Sequence, residues 1–389
     1  MTGSTISRTP ASRTSVGRAE LLSRTARATD ALGLFAEASA HLRRLMPYDA
    51  AVWRVTDPVT GMMTAPIRAE NLDEGGCAVY WESELFTENV NLFRDLARAP
   101  VPVAGLRQTT GDLPARSTLY ETFMRPRGFH DELRAVLRVG GRPQGHISLF
   151  RAEGRPAFDD TETQLIASVI TPLAKQLRSF AEPDPQTQTQ TQTQPDGPRG
   201  PGLLLFDATG TLLSYNDDAL AHLCTLPEGP TVLSPQGIRV PSFIQATAMK
   251  ARAVAEERDR GQTRARVRVR NRAGRWLVCH ASCLREADGG PGASAVVIEP
   301  AKASEIMPLI VDAYELTDRE TEVTQYIARG LPTGEIAAQL HLSPHTVRDH
   351  VKAVFEKAGV SSRGELVGKL FTEHYAPLAE TNMTRVRTD

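Results

Sequence analysis

The side chains best suited to act on a partner lie between Ser343 and Ala358. Val347, Val351, Val354, Phe355 and Ala358 recur at helical spacing and predict a helix over 344–358 with one face in a core. The opposite face then carries His345, Arg348, Asp349, Lys352 and Glu356. Arginine can pair with guanine O6 and N7, lysine with guanine or a phosphate, and a carboxylate can accept from cytosine N4. Arg348, Asp349 and Lys352 are therefore the candidates for reading base edges. Asp349 has two readings, because a carboxylate repels phosphates. It reads a base, or it pairs with Arg348 or Lys352 across one helical turn and positions them.

The elements needed to hold that helix are legible around it. Thr317-Asp-Arg-Glu320 is a capping box that starts a helix with Val323, Tyr326 and Ile327 inward. Gly330 supplies the left-handed residue at its end. Pro332-Thr333 opens a short second helix with Ile336, Ala337 and Leu340 inward, and His341-Leu342-Ser343 is a tight turn. Ser343 caps the third helix, and Pro344 takes its first position, where a missing amide hydrogen costs nothing. Gly359 ends it, and Ser362-Arg-Gly-Glu365 starts a fourth helix with Leu366, Val367, Leu370 and Phe371. A helix braced by two short helices, with Arg and Lys on its free N-terminal half, fits a recognition helix in a DNA major groove.

The segment LTDRETEVTQYIARGLPTGEIAAQLHLSPHTVRDHVKAVFEKAGVSSRGELV closely resembles the LuxR/NarL-type helix-turn-helix family. The resemblance implies that Thr333 to Lys352 is the helix-turn-helix motif and that Arg348, Asp349 and Lys352 lie where the family touches bases. By the same mapping, Ser343, Thr346 and Lys357 hold the phosphate backbone. The fourth helix is the family's dimer surface, with Leu370 and Phe371 as candidates and a plain core role as the alternative. Residues 315–372 hold seven Lys/Arg against eight Asp/Glu. One copy should then bind DNA modestly, and a homodimer on a two-fold related site is expected. RNA polymerase is a further partner compatible with this class.

Upstream, the tract PDPQTQTQTQTQPDGPRGPG cannot bury apolar surface and reads as a linker. Before it, Leu32–Met46 has helical spacing, Ala50–Val55 reads as a strand, and LRVGGRPQGHISLFR reads as a hairpin. Asp159-Asp160 could cap a long amphipathic helix running to Leu177. This order resembles a GAF domain. After the linker come strand, turn, strand, a short helix capped by Asn216 or Asp217, and strands over 263–271, 275–285 and 293–299. That order resembles a PAS domain. Within it Arg264, Arg266, Arg268, Arg270 and Arg272 alternate with small apolar residues, so they share one face of a strand. The expected role is the solvated face of an edge strand, charged against edge-to-edge pairing; a basic stripe for DNA or an acidic partner is the rival. Trp81, Phe86, Tyr120 and Phe123 could line a pocket or fill a core.

The whole chain of 389 residues is too long for one ordinary core and carries a net charge of −1, so any basic surface must be local. The fold class expected is multidomain: two α+β sensor-like domains, GAF-like and PAS-like, followed by an all-α four-helix domain. The boundaries are a disordered arm at 1–29, the GAF-like domain at 30–181, the linker at 182–202 and the PAS-like domain at 203–300. A connecting helix at 301–314, the helix-turn-helix domain at 315–377 and a tail at 378–389 complete it. No apolar run approaches the roughly 18 residues of a membrane span, and no secretory signal opens the chain, so a cytoplasmic location is expected. Cys279 and Cys283 read as small buried hydrophobes, since four residues along a strand separate them by about 13 Å, too far for a disulfide. GxxxxGK[ST], HExxH and GxSxG are all absent, which argues against an enzyme. No cofactor or metal is predicted; a lone His222 or His280 is a weak haem ligand, and a small-molecule effector is compatible with the sensor-like domains. The function expected is sequence-specific DNA-binding transcriptional regulation, with upstream domains that sense a signal and control dimerisation. The rival readings are an interaction protein whose helix-turn-helix contacts another protein, and a sensor-domain enzyme.

Overall fold

The computed structural model describes residues 10–73, 76–181, 200–256, 264–302, 305–306, 308–309 and 314–367. They divide into two compact units. The first is drawn from Met1–Leu177, Asp196–Arg272 and Leu277–Glu299, and the second from Arg178–Pro195, Ala273–Trp276 and Pro300–Asp389.

In the first unit, α1 (Pro10–Thr25) occupies much of the expected disordered arm. It forms because Gly17, Leu21 and Thr25, each four apart, make a narrow buried stripe. A Cβ on Gly17 would lie 2.5 Å from the Leu45 Cδ2, so a larger residue there would make Leu45 of α2 (Ala31–Leu45) shift. Asp30 caps α2 by accepting the Gly33 amide at 2.8 Å. Two strands follow, β1 (Ala50–Thr56) and β2 (Met63–Glu70). The short helices α3 (Gly76–Glu82), α4 (Phe93–Leu96) and α5 (Leu106–Thr110) flank β3 (Val103–Gly105). Two π-helical turns, Ser83–Thr87 and Tyr120–Met124, interrupt this region. The expected hairpin is β4 (Phe129–Val139) and β5 (Arg142–Ala152). Its turn is only Gly140-Gly141, both with positive φ, so the strand starts earlier than the Gly- and Pro-rich sequence implied. The closing helix α6 (Asp160–Ser179) is capped by Asp159, which accepts the Glu162 amide at 2.8 Å.

The second half of this unit contains β6 (Gly202–Phe206), β7 (Leu212–Tyr215), α7 (Asp217–Leu223), β8 (Thr231–Leu233), β9 (Arg239–Pro241) and α8 (Ser242–Ala255). It ends with β10 (Arg266–Arg270), β11 (Trp276–Arg285) and β12 (Pro291–Pro300). Asn216, rather than Asp217, caps α7. The sheet orders are β2-β1-β5-β4-β3 and β10-β11-β12-β6-β7. Numbered within each half, both sheets have the order 2-1-5-4-3, so one topology occurs twice. The expectation of α+β structure upstream is thus met by two sheets with flanking helices.

The two sheets share a core. Met63, Ala65 and Ile67 of β2 cluster with Leu204, Phe206, Val240, Phe243 and Val267. Their edge strands meet there: the hydroxyls of Thr60 and Thr64 donate to the carbonyls of Arg266 and Arg268 at 3.0 and 2.8 Å. The expectation of a solvated arginine face fails at Arg268, whose side chain is 5% exposed and bonds to the fully buried Asp57 at 2.7 Å. The edge is covered by the other sheet, so its charge is spent on pairing instead of on solubility. Of the paired cysteines, only Cys279 is buried, and burial pushes its thiol up to about 12; Cys283 is partly exposed.

In the second unit, α9 (Asp318–Ala328), α10 (Thr333–Leu340) and α11 (Pro344–Ala358) are the three expected helices. Residues 363–367 begin the fourth. The buried apolar residues of this unit include Val323, Ile327, Ile336, Ala337, Leu340, Val347, Val354, Ala358 and Leu366. Leu370, Phe371, the tail and most of the 182–202 linker lie outside the described residues, as does part of the 301–314 connector. Among the described residues, no helix is long and apolar enough to cross a membrane.

Candidate nucleic-acid interface

The site is built by how α11 starts. Ser343 Oγ accepts the Thr346 amide at 3.0 Å and also meets the Thr346 hydroxyl at 2.9 Å. Both side chains expected on the phosphate backbone therefore fix the first turn, and the remaining amides of that turn are directed outward. His341 adopts a left-handed conformation (φ 54°) to reverse the chain between α10 and α11. Gly359 ends α11 in the same region of backbone space.

Val347 and Val354 are fully buried, which turns Arg348, Asp349 and Lys352 to solvent together. The Arg348 Nε donates to the Pro344 carbonyl one turn back at 3.2 Å, so the guanidinium lies toward the helix N-terminus. Lys352 reaches Glu356 only at 3.9 Å. Asp349 pairs neither with Arg348 nor with Lys352. Its carboxylate meets His345 Nδ1 at 3.1 Å, because His345 stands four residues earlier on the same stripe.

Lys357 is placed differently from its expected phosphate role. Its ammonium donates to Glu320 at 2.6 Å and to the Glu315 carbonyl at 3.0 Å, so it is engaged inside the bundle. Glu320 is also the capping-box carboxylate, accepting the Thr317 amide at 2.7 Å. Burial raises the Glu320 carboxyl, but Lys357 and the Thr317 amide outweigh it and hold the pKa below the usual value. One buried carboxylate thus ties the start of α9 to the end of α11. Sequence reasoning found the box but not the lysine, which is 37 residues away. Arg363 was also missed: it donates to the Leu331 carbonyl and to Thr333 Oγ1, both at 2.8 Å, and fixes the entry to α10.

A second polar site lies within the first sheet and was not singled out by the sequence. Arg134 pairs with Glu84 at 2.7 Å and Glu132 at 2.9 Å, all three buried. Arg54 donates to Ser148 at 3.1 Å and lies over the rings of Tyr80, Trp81 and Phe93. Burial, then the charges of Arg54 and Arg134, push the His146 imidazole well below its usual pKa. Phe123 belongs to this core and Trp81 and Tyr120 pack against it, while Phe86 sits on the first π-helical turn. His222 is buried, with Nε2 3.1 Å from the Gly200 carbonyl. Among the described residues, no group of His, Cys, Asp and Glu is arranged to hold a metal.

Three packed helices with a capped, outward-facing third helix define a helix-turn-helix domain. The family of bacterial regulatory proteins called luxR matches residues 314–370. The transcriptional regulatory protein UhpA of Escherichia coli (strain K12) is 46% identical over 56 residues, 14% of this chain and 29% of UhpA. The spore germination protein GerE of Bacillus subtilis (strain 168) is 40% identical over 55 residues, 14% of this chain and 74% of GerE. The chain belongs to the luxR family of bacterial regulatory proteins through this domain. The family is regulatory, not enzymatic. The chain covers less than a third of the length of UhpA. Escherichia coli SdiA aligns over 92% of this chain and 96% of its own with 13% identity and a TM-score of 0.32, a score that carries no statement about the upstream fold.

Proposed function

We propose that this protein is a sequence-specific DNA-binding transcriptional regulator that inserts α11 into the major groove as a dimer. The observation that carries the reading is the joint exposure of Arg348, Asp349 and Lys352 on a helix whose other face is locked in a luxR-family bundle. Arg348 reads guanine, Lys352 reads guanine or grips a phosphate, and Asp349 accepts from cytosine N4. Ser343 and Thr346 present the helix N-terminus to the backbone. Lys357 acts as a brace. Leu370 and Phe371 are proposed for the dimer contact, and RNA polymerase as a partner on DNA.

The duplicated 2-1-5-4-3 sheets, GAF-like then PAS-like, form a sensing region that controls dimerisation. Support comes from the buried cluster of Arg134 with Glu84 and Glu132, since polar groups of this kind cost stability when buried. The solution expected is cytoplasmic. Selection from a random duplex pool with the full-length protein should enrich a two-fold related motif, and Arg348→Ala should abolish it with folding intact. Equal enrichment by both would remove Arg348 from the reading. Binding of a protein partner without any DNA enrichment would favour an interaction module instead.

A further inference from the structure

Arg54 on β1 and His146 on β5 are cross-strand partners in the first sheet, and they are only 2% and 3% exposed. The Arg54 Nη2 donates to Ser148 at 3.1 Å. Its Nη1 has no hydrogen-bond partner among the described residues, and neither has His146 Nδ1. The two side chains meet at one ring: the imidazole stacks on Phe93 at 4.2 Å, and the Arg54 guanidinium carbon lies 5.1 Å from the same ring centroid. Buried side-chain nitrogens are paired in the large majority of cases, so two unpaired ones on neighbouring side chains point to a shared partner from outside the chain.

Charge decides what that partner is. Arg134 takes both nearby carboxylates, Glu84 at 2.7 Å and Glu132 at 2.9 Å. Among the described residues no carboxylate pairs with Arg54, which instead lies over Tyr80, Trp81 and Phe93 at 4.9, 5.2 and 5.1 Å. Rings cover the faces of a guanidinium and leave its in-plane donors to bind. Lys250 on α8 adds a third cation in the field of Glu84, so three basic groups surround two acidic ones. Burial, then Arg54 and Arg134, keep His146 neutral, and in its Nδ1–H form it is a second donor beside Nη1. A water would satisfy both nitrogens but leave the charge, whereas a monovalent anion answers both.

We infer that Arg54 Nη1 and His146 Nδ1 together bind one small monovalent anion, a halide or a carboxylate the size of formate, beside the ring of Phe93. The inference rests on the sensing role proposed above and gives it a ligand class. Phe93 opens α4 and its amide is held by Glu84 at 2.8 Å, so the anion and the Arg134 cluster act on the same segment.

Full-length protein carrying isotope-labelled histidine is titrated near neutral pH with sodium chloride and, separately, with sodium formate. Sodium gluconate, whose anion is too large for the site, holds the ionic strength constant. The His146 ring resonances, assigned by their loss in His146→Gln, should shift saturably with at least one of the two anions. The tighter of the two identifies the site as one for a halide or for a planar carboxylate. Arg54→Met should weaken that binding about tenfold. A wild-type shift that is absent or does not saturate would overturn the site and leave a water as the partner of both nitrogens, whether or not the variant folds. Undiminished binding by folded Arg54→Met would overturn it as well. Saturable binding with the same DNA affinity in gluconate and in the bound anion would keep the site and remove its sensing role. Loss of the site leaves the DNA selection untouched, because that selection reads α11.

Discussion

At the residue scale, charge on α11 is sorted by what each side chain can reach. Lys352 is exposed and reaches Glu356 only at 3.9 Å, while Lys357, five residues on, is held by Glu320 at 2.6 Å. Their substitutions should separate cleanly. Lys352→Ala should weaken binding and lower the salt slope by about 1, measured by fluorescence anisotropy over a salt series. Lys357→Met should leave that slope unchanged and destabilise the domain by about 1 kcal/mol in urea melts. A reduced slope for Lys357→Met would return it to the phosphate backbone. Asp349→Asn should relax preference at one base position and cost about 1–3 kcal/mol of discrimination there, read by repeating the pool selection. The His345–Asp349 pair is exposed on both sides, so DNA can displace it at little cost.

At the element scale, caps and close approaches set the angles of the helices and strands. Ser343→Ala removes the bond that starts α11 and should cost about 1 kcal/mol. The Glu320 tie has a pH signature of known sign. Its folded pKa lies below the unfolded value of about 4.3, so its contribution is complete above that value. The contribution is lost as pH falls through the folded pKa. Denaturant melts of wild type and Glu320→Gln should therefore converge in acid and diverge toward neutrality; parallel curves would show that the carboxylate is not linked to folding. In the upstream hairpin, β5 tolerates Gly145 because β1 passes close by. A Cβ there would lie 2.7 Å from the Arg54 carbonyl oxygen, so Gly145→Ala should destabilise by about 1–3 kcal/mol despite its better strand propensity.

At the scale of the whole molecule, the two upstream sheets should unfold as one cooperative body because their edges and cores are shared. Asp57 accepts both the backbone amide and the guanidinium of Arg268, at 3.1 and 2.7 Å. Asp57→Ala leaves a buried guanidinium uncompensated and should cost about 3–5 kcal/mol, whereas Asp57→Leu with Arg268→Met should recover most of it. The readout is chemical denaturation of the upstream unit. Two separate transitions in the wild type would refute a common core.

What the sequence determined by itself was local. The Thr317 capping box, the Pro344 start, the Gly359 stop and the stripe of Arg348, Asp349 and Lys352 depend on residues within one or two turns of each other, where backbone bonding and helical period decide the outcome. The upstream hairpin and a helix cap at Asn216 or Asp217 were legible for the same reason, but the shortness of the turn and the choice of Asn216 were not. Tertiary structure decided everything that required distant chain to meet. Alternation set Arg266, Arg268 and Arg270 at every second position of β10, but only the arrival of Asp57 could tell a buried ion pair from a solvated edge. For Lys357, which the family resemblance sets on the phosphate backbone, the partner Glu320 comes from α9, 37 residues away. The helix in the N-terminal arm follows the same logic: α1 has only a narrow apolar stripe, and it is the packing of Gly17 against Leu45 that gives the helix a surface to bury.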